Sequence, residues 1–267
     1  MSAFVTTGVV NQSITRTGQY EPFELQVARG QITGHSPVNI FGYFATPATA
    51  NAYRTAWELG NTANYVFPVS ATTMTLVSTN NADTATILIN GLDSGYNPIS
   101  ESLVLTGTTG VTTVNSYLRI NNISVSVGSP TNPAGTITLS NGGVTYAQIS
   151  TTNIAAGTGS IGTSQMSLYT VPAGYTLYLS RFDAFSSFNG NNVNFLTYRA
   201  LTNTAAGVQR VVLQQPFDSI YSLRRTIPFP YAEKTDIQWQ VAPSAAASAT
   251  VGVNIEGILI KNDGSLN

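Results

Sequence analysis

Ala85-Thr86-Ile87-Leu88-Ile89-Asn90-Gly91-Leu92-Asp93-Ser94-Gly95-Tyr96-Asn97 is the stretch on which the reading of this chain turns. Alternation in Ala85-Thr86-Ile87 runs on into the apolar Leu88-Ile89, and Asn-Gly and Asp-Ser-Gly turn chemistry follows, the mark of a short strand entering a turn. The same unit recurs outward. On one side lie Ile123–Val127, Thr136–Leu139 and Val144–Ile149, with Gly107, Gly110 and Asn141-Gly142-Gly143 as breakers. Further on, Tyr175–Phe182, Val193–Arg199, Val208–Leu213, Ile237–Val241 and Val251–Ile255 form a second series. Short strands at roughly ten-residue spacing indicate an all-β protein built from sandwiches rather than a parallel α/β sheet.

The expected organisation is two β-sandwich domains, jelly-roll or Ig-like, preceded by an arm. Residues 1–34 keep neither period and read as an extended N-terminal arm that must bury Phe4 and Phe23 somewhere. Residues 35–152 form the first sandwich, 153–165 a linker within the Thr/Ala/Gly/Ser-rich run Ser150 to Thr163, and 166–267 the second sandwich. Pro47 to Gly60 is the one helical candidate, with Tyr53 and Trp57 four apart and Gly60 at the C′ position.

Composition narrows the function. Of 267 residues only 9% are charged, with 11 Lys+Arg, 12 Asp+Glu and net charge −1, against about 25% in ordinary globular chains. A compact chain of this size exposes roughly 11,000 Å², or about 490 Å² per charge. The surface must be covered by neutral polar groups or by other subunits. Asn121 to Ser180 holds no charged residue, which points to interfaces. The near-zero balance lacks the electrostatic footprint of a nucleic-acid or anionic-membrane binder. The N-terminus shows no signal-peptide pattern, and no stretch approaches 18 apolar residues. Without cysteine, disulfides, thiolate metal sites and cysteine nucleophiles are excluded.

Catalytic constellations are thin. The one histidine, His35, sits beside Ser36 without a nucleophile elbow; a loop histidine bonded to backbone is the plainer reading. Asp83 and Asp93 stand in Asn/Gly-rich turns without an acidic partner, so Asx-turn capping outweighs calcium. Gly157-Thr158-Gly159-Ser160-Ile161-Gly162 matches the dinucleotide fingerprint in letters, but a strand pattern rather than a helix follows. Glu101, Asp183, Asp218, Glu233 and Asp236 could supply a glycosidase pair, though any β-protein with twelve acids allows one. No cofactor or metal is expected, and the chain reads as a non-enzyme. The local charge concentration is Arg210, Arg224, Arg225 and Lys234 with Asp218, Glu233 and Asp236, beside Tyr221, Phe229, Tyr231 and Trp239. It reads either as an inter-subunit patch with aromatic anchors or as an ordinary rim. Phe4, Phe23, Arg210, Arg224, Arg225, Tyr231, Lys234 and Trp239 are thus the expected assembly interface.

Six segments carry a resemblance. Asn90-Gly91-Leu92-Asp93-Ser94-Gly95-Tyr96-Asn97 through Thr109, then Tyr117-Leu118-Arg119, resembles a pattern recurrent in tailed-bacteriophage virion proteins: strand, Gly-Leu-Asp-x-x-Tyr-Asn turn, strand ending Thr-Gly-Thr, then a Tyr-Leu-Arg strand. Val171-Pro172-Ala173-Gly174, Glu233-Lys234-Thr235-Asp236 and the final Gly257–Ile260 are similar to the second half of the same proteins, and Gly34–Gly42 fits upstream. Tyr175 stands where these proteins often have Lys, and Ala232 where they have Pro. The resemblance spans roughly residues 32–262. It implies a structural protein of the virion, with no catalytic residue to carry over. Joined to a charge-poor chain with an arm, it implies a capsid cement or decoration protein on the capsid surface. Such a protein is made in the host cytoplasm, binds the major capsid protein and stands as a homotrimer that hides neutral surface. The alternative is a tail or fibre-associated adhesin binding host surface glycans through Tyr96, Tyr146 or Tyr231.

Overall fold

The computed structural model describes residues 21–129, 132–151, 161–188, 196–203, 207–246 and 249–262. It is nearly all β, and every strand pairing is antiparallel. Sheet I has the order β1 (His35–Ala45), β16 (Ala249–Lys261), β11 (Tyr175–Phe188), β14 (Ile220–Tyr231). Sheet II runs β10 (Leu168–Thr170), β15 (Asp236–Pro243), β12 (Leu196–Asn203), β13 (Gln209–Phe217), with β2 (Arg54–Thr55) also on β15. Sheet III is β6 (Val111–Thr112), β3 (Thr75–Ser78), β8 (Ile137–Asn141), β9 (Val144–Ile149). Sheet IV is β5 (Pro98–Val104), β4 (Thr86–Leu92), β7 (Arg119–Val125).

Two hydrophobic cores result. Sheets I and II enclose the first, with Phe44, Leu177, Phe182, Tyr198, Trp239 and Val253 among its members. Sheets III and IV enclose the second around Leu76, Ile87, Ile89, Tyr117, Ile137 and Ile149. The alternation read in Thr86-Ile87-Leu88-Ile89 is the reason. Ile87 and Ile89 are fully buried while Thr86, Leu88 and Asn90 are half-buried, as a period of two requires.

Several expectations change. A unit running 35–152 is not what the strands form, because β1 pairs along its whole length with β16, from His35 opposite Ile260 to Ala45 opposite Thr250. The second core is therefore an insertion between β2 and β10. Pro47–Gly60 is not helical: Ala56 N–H donates to Trp239 O (2.9 Å), and Thr55 lies opposite Gln240, so tertiary pairing overrides local helix signals. Asn90-Gly91 is not a turn but lies inside β4. The ladder bulges there, and a Cβ on Gly91 would stand 2.2 Å from Arg119 O, so close backbone approach demands glycine.

Most of the presumed arm, residues 1–20, is outside the described residues, as are Phe4 and Val193. Its remainder is not extended. A short helix α1 (Phe23–Ala28) follows Pro22 and buries Gln26 and Val27. Of the presumed linker, 153–160 lies outside the described residues. Ser164 N–H donates to Ile123 O (2.8 Å), so its end is tied to β7. The neutral run Asn121–Ser180 places Ile123, Ile137, Leu139, Ala147, Ile149, Leu168 and Leu177 inside the chain's own cores. Much of its neutrality is thus intramolecular burial rather than interface. Among the described residues no helix is long and apolar enough to cross a membrane.

Candidate functional site

The most elaborate polar constellation joins the two cores. Arg119, at the start of β7, reaches Asp236, the first residue of β15, through Nε–Oδ1 at 2.7 Å and Nη2–Oδ2 at 2.9 Å. Its Nη1 donates to Pro68 O (2.9 Å) and Leu118 O (2.7 Å), and Nη2 also to the Tyr96 hydroxyl (3.3 Å). All five guanidinium N–H groups therefore find acceptors. The cation lies 5.0 Å from the Phe67 ring centre and 5.3 Å from that of Tyr96. Asp236 Oδ1 receives a further bond from Thr170 Oγ1 at 2.6 Å. Arg119 and Asp236 are both buried, so such complete pairing is what makes the two charges tolerable. Desolvation pulls the arginine's pKa down, but the bonds and charge of Asp236 outweigh it and hold the pKa above its ordinary value.

The loops around this pair are locked to one another. Tyr96, at φ +66°, accepts Ala173 N–H on its carbonyl (2.9 Å). Lys234, at φ +60°, donates its N–H to Val171 O (2.8 Å) and holds Nζ 6.0 Å from the Tyr96 ring centre. Val171 N–H donates to Thr235 O (3.0 Å), and Gly174 N–H to Glu233 Oε2 (2.5 Å). The Asp93 carboxylate closes the turn, accepting from Asn97 N (2.9 Å) and Gly95 N (2.7 Å). The Asn97 bonds above all hold its pKa below the usual range. The Gly-Leu-Asp-x-x-Tyr-Asn, Tyr-Leu-Arg, Val-Pro-Ala-Gly and Glu-Lys-Thr-Asp segments thus converge on one junction, although 146 positions separate Gly91 from Ile237 in the chain.

No protein-family model matches the sequence, and no curated protein sequence matches it. Among solved structures, one of infectious bursal disease virus, Gt strain, is 11% identical, covers 91% of this chain and 79% of its own, and has a TM-score of 0.21. The 2.6 Å structure of T=1 particles derived from the same virus is 10% identical over 92% and 76%, with a TM-score of 0.22. At these TM-scores the two likenesses carry no argument.

The expected interface residues separate. Trp239 (1% exposed) and Tyr231 (7%) are core residues and cannot anchor another subunit; each sits on the inward phase of its strand. Lys234 belongs to the junction. Arg210 on β13 and Arg224 on β14 are exposed, and Arg225 is half-buried with its cation 5.6 Å from the Phe229 ring centre. No ion pair among the described residues involves Arg210, Arg224, Arg225 or Lys234. Phe23 is exposed on α1 and stands edge-on to His35 at 5.8 Å. As glycan platforms, Tyr146 and Tyr231 are buried, and Tyr96 is engaged by Arg119.

Glu101 and Asp183, like Glu233 and Asp236 above, are engaged. Glu101 accepts Val114 N (2.8 Å) and Asn115 N (2.9 Å), and Asp183 pairs with Arg181 (2.8 Å). Burial raises the pKa of Asp83, but bonds from Ser78 Oγ (2.6 Å), Ala134 N (2.8 Å) and Gly135 N (2.9 Å) outweigh it and hold the carboxyl low. His35 Nδ1 lies 3.0 Å from Thr33 O. Of the glycine motif, Gly157 to Ser160 lie outside the described residues; after Gly162 the chain leads to β10 with no helix between, where the dinucleotide fingerprint calls for one. Sequence reasoning missed Arg119 as a key residue. Its signal was a cation between Tyr117-Leu118 and Ile120, inside an apolar strand of a charge-poor chain.

Proposed function

We propose that the chain is a virion structural protein that binds the outside of a tailed-phage capsid and stabilises capsomer joints: a cement or decoration protein without catalysis. The observation that carries this reading is where the phage-like segments go. Their distinctive side chains, Asp93, Tyr96, Arg119, Lys234 and Asp236, sit in turn closure and a buried joint between two cores. A protein that must transmit load between neighbours needs such a joint, because two cores on a loose hinge would dissipate it. The exposed Arg210 and Arg224, with exposed Val208, Val211, Ile220 and Ile227 on the same two strands or just before them, supply charge and apolar area for the major capsid protein. The homotrimer belongs to the same proposal.

Quantitative mass spectrometry of purified virions tests it. Hundreds of copies per particle are expected, whereas a few to a dozen would place the protein in the tail and overturn the reading. Sedimentation of the purified chain tests the trimer, and a monomer at every concentration would remove it.

A further inference from the structure

The outward face of sheet I carries an aromatic floor with a polar border. Phe44, Ala184, Val251 and Val253 point into the core, so alternation turns Tyr43, Phe41, Phe185, Asp183, Gly252 and Asn254 outward. The register sets Tyr43 and Phe185 on either side of Gly252, and Phe41 and Asp183 on either side of Asn254. A Cβ at position 252 would lie 2.0 Å from Phe185 Cζ and 2.5 and 2.6 Å from its two Cε atoms. The ring is therefore laid by its face on the backbone, and only glycine leaves room. The Phe41 ring is within 19° of the Phe185 plane at 6.4 Å, and Tyr43 within 18° of Phe41 at 6.5 Å. Phe41 is 37% exposed and Phe185 41%. Along the floor run Asp183, bonded by Ser222 Oγ at 2.6 Å and Arg181 Nε at 2.8 Å, and Glu256, 3.7 Å from Arg181 Nη1.

We propose that this face binds a neutral polysaccharide, with the C–H face of a sugar ring on Phe41 and Phe185 and its hydroxyls bonded to Asp183 and Asn254. A pyranose is apolar across its ring faces and polar around its rim, which matches a flat aromatic floor edged by carboxylate and carboxamide. The area argues against a second copy of the chain. Two rings about 40% exposed offer about 160 Å², whereas a standard interface needs about 800 Å² per partner. Extending the contact would bury Arg181, Asp183 and Glu256 at a desolvation cost; a sugar leaves Arg181 and Glu256 wet and gives Asp183 hydroxyl donors in place of water. This inference does not rest on the capsid reading, which copy number tests separately.

The test is affinity electrophoresis of the full chain through gels holding xyloglucan, laminarin or galactomannan. At least one is expected to retard it, and Phe41→Ala and Phe185→Ala each to weaken retardation at least tenfold, with Val69→Asn, at an exposed side chain remote in sequence from this face, unchanged. Phe41→Ser, which leaves Gly252 covered by Phe185, keeps the test sound if Phe185→Ala loses its β circular-dichroism signature. No retardation in any gel, or retardation unaffected by the Phe41 variants, overturns the proposal. Self-association abolished by Phe41→Ala without retardation also overturns it, in favour of a second copy.

Discussion

The Arg119–Asp236 junction and the margin formed by β13 and β14 treat charge in opposite ways. At the junction a cation and an anion are buried together and every guanidinium donor is used. At the margin, Arg210 and Arg224 are exposed and make no ion pair among the described residues, beside Val211 (48% exposed), Ile220 (77%) and Ile227 (83%). The strands there are the outer edges of sheets II and I. Four residues of β14, 225–228, stand opposite the single Ser180 of β11, and Pro228 and Pro230 follow the edge. A bulge and prolines are the usual guard of an edge against indiscriminate strand addition. In a chain so short of charge, one ion pair fixes the internal geometry while the arginines of the margin stay at the surface.

The contrast breaks most sharply at Arg119. Arg119→Ala leaves Asp236 buried and unpaired, and urea unfolding is expected to show a loss of about 3–5 kcal/mol. An apolar pair, Arg119→Met with Asp236→Leu, should recover much of it; failure to recover would show that the bonds to Pro68 and Tyr96 matter more than the ion pair. Within the second core, Ile89→Ala should cost about 2–5 kcal/mol, measured the same way, since its side chain is fully buried.

A smaller effect follows from Asp83. Its pKa lies lower in the folded chain than its ordinary value. The stabilisation is therefore complete above the unfolded carboxylate range, near 4, and is lost as pH falls through the lower folded value. Unfolding midpoints measured between pH 6 and pH 3 should fall more steeply for the native chain than for Asp83→Asn. At the margin the effect on folding should vanish: Ile227→Asn is expected to stay within about 0.5 kcal/mol of the parent, and Arg224→Glu to leave the circular-dichroism spectrum unchanged while reducing capsid binding. A large stability loss in either would mean that the margin belongs to the fold.

What was legible in the sequence followed local periodicity. Thr86–Ile89 and Ile137–Leu139 alternate, so their strands and buried faces could be read directly; Val144–Ile149 was legible as a strand, but a bulge leaves Val144 exposed and buries the adjacent Tyr146 and Ala147 together. Asn141-Gly142-Gly143 also marks its turn, with both glycines at positive φ. Other strands hid their nature. β1 contains Pro37 and Gly42, and β14 holds two prolines and two adjacent arginines, so neither shows a clean pattern. The aromatic floor stayed hidden because Phe41 and Phe185 become neighbours only when β16 is laid between their strands.

The sequence by itself determined that the chain is β-rich, poor in charge and without cysteine chemistry, because alternation and composition are properties of neighbouring residues. Only the tertiary structure decided that β1 closes on β16, that the region between β2 and β10 is an insertion, and that four of the phage-like segments meet at one buried ion pair. Those facts rest on partners far apart in the chain. Arg119 and Asp236 are separated by 117 positions, and their pairing is selected by the desolvation of two charges that cannot be buried alone.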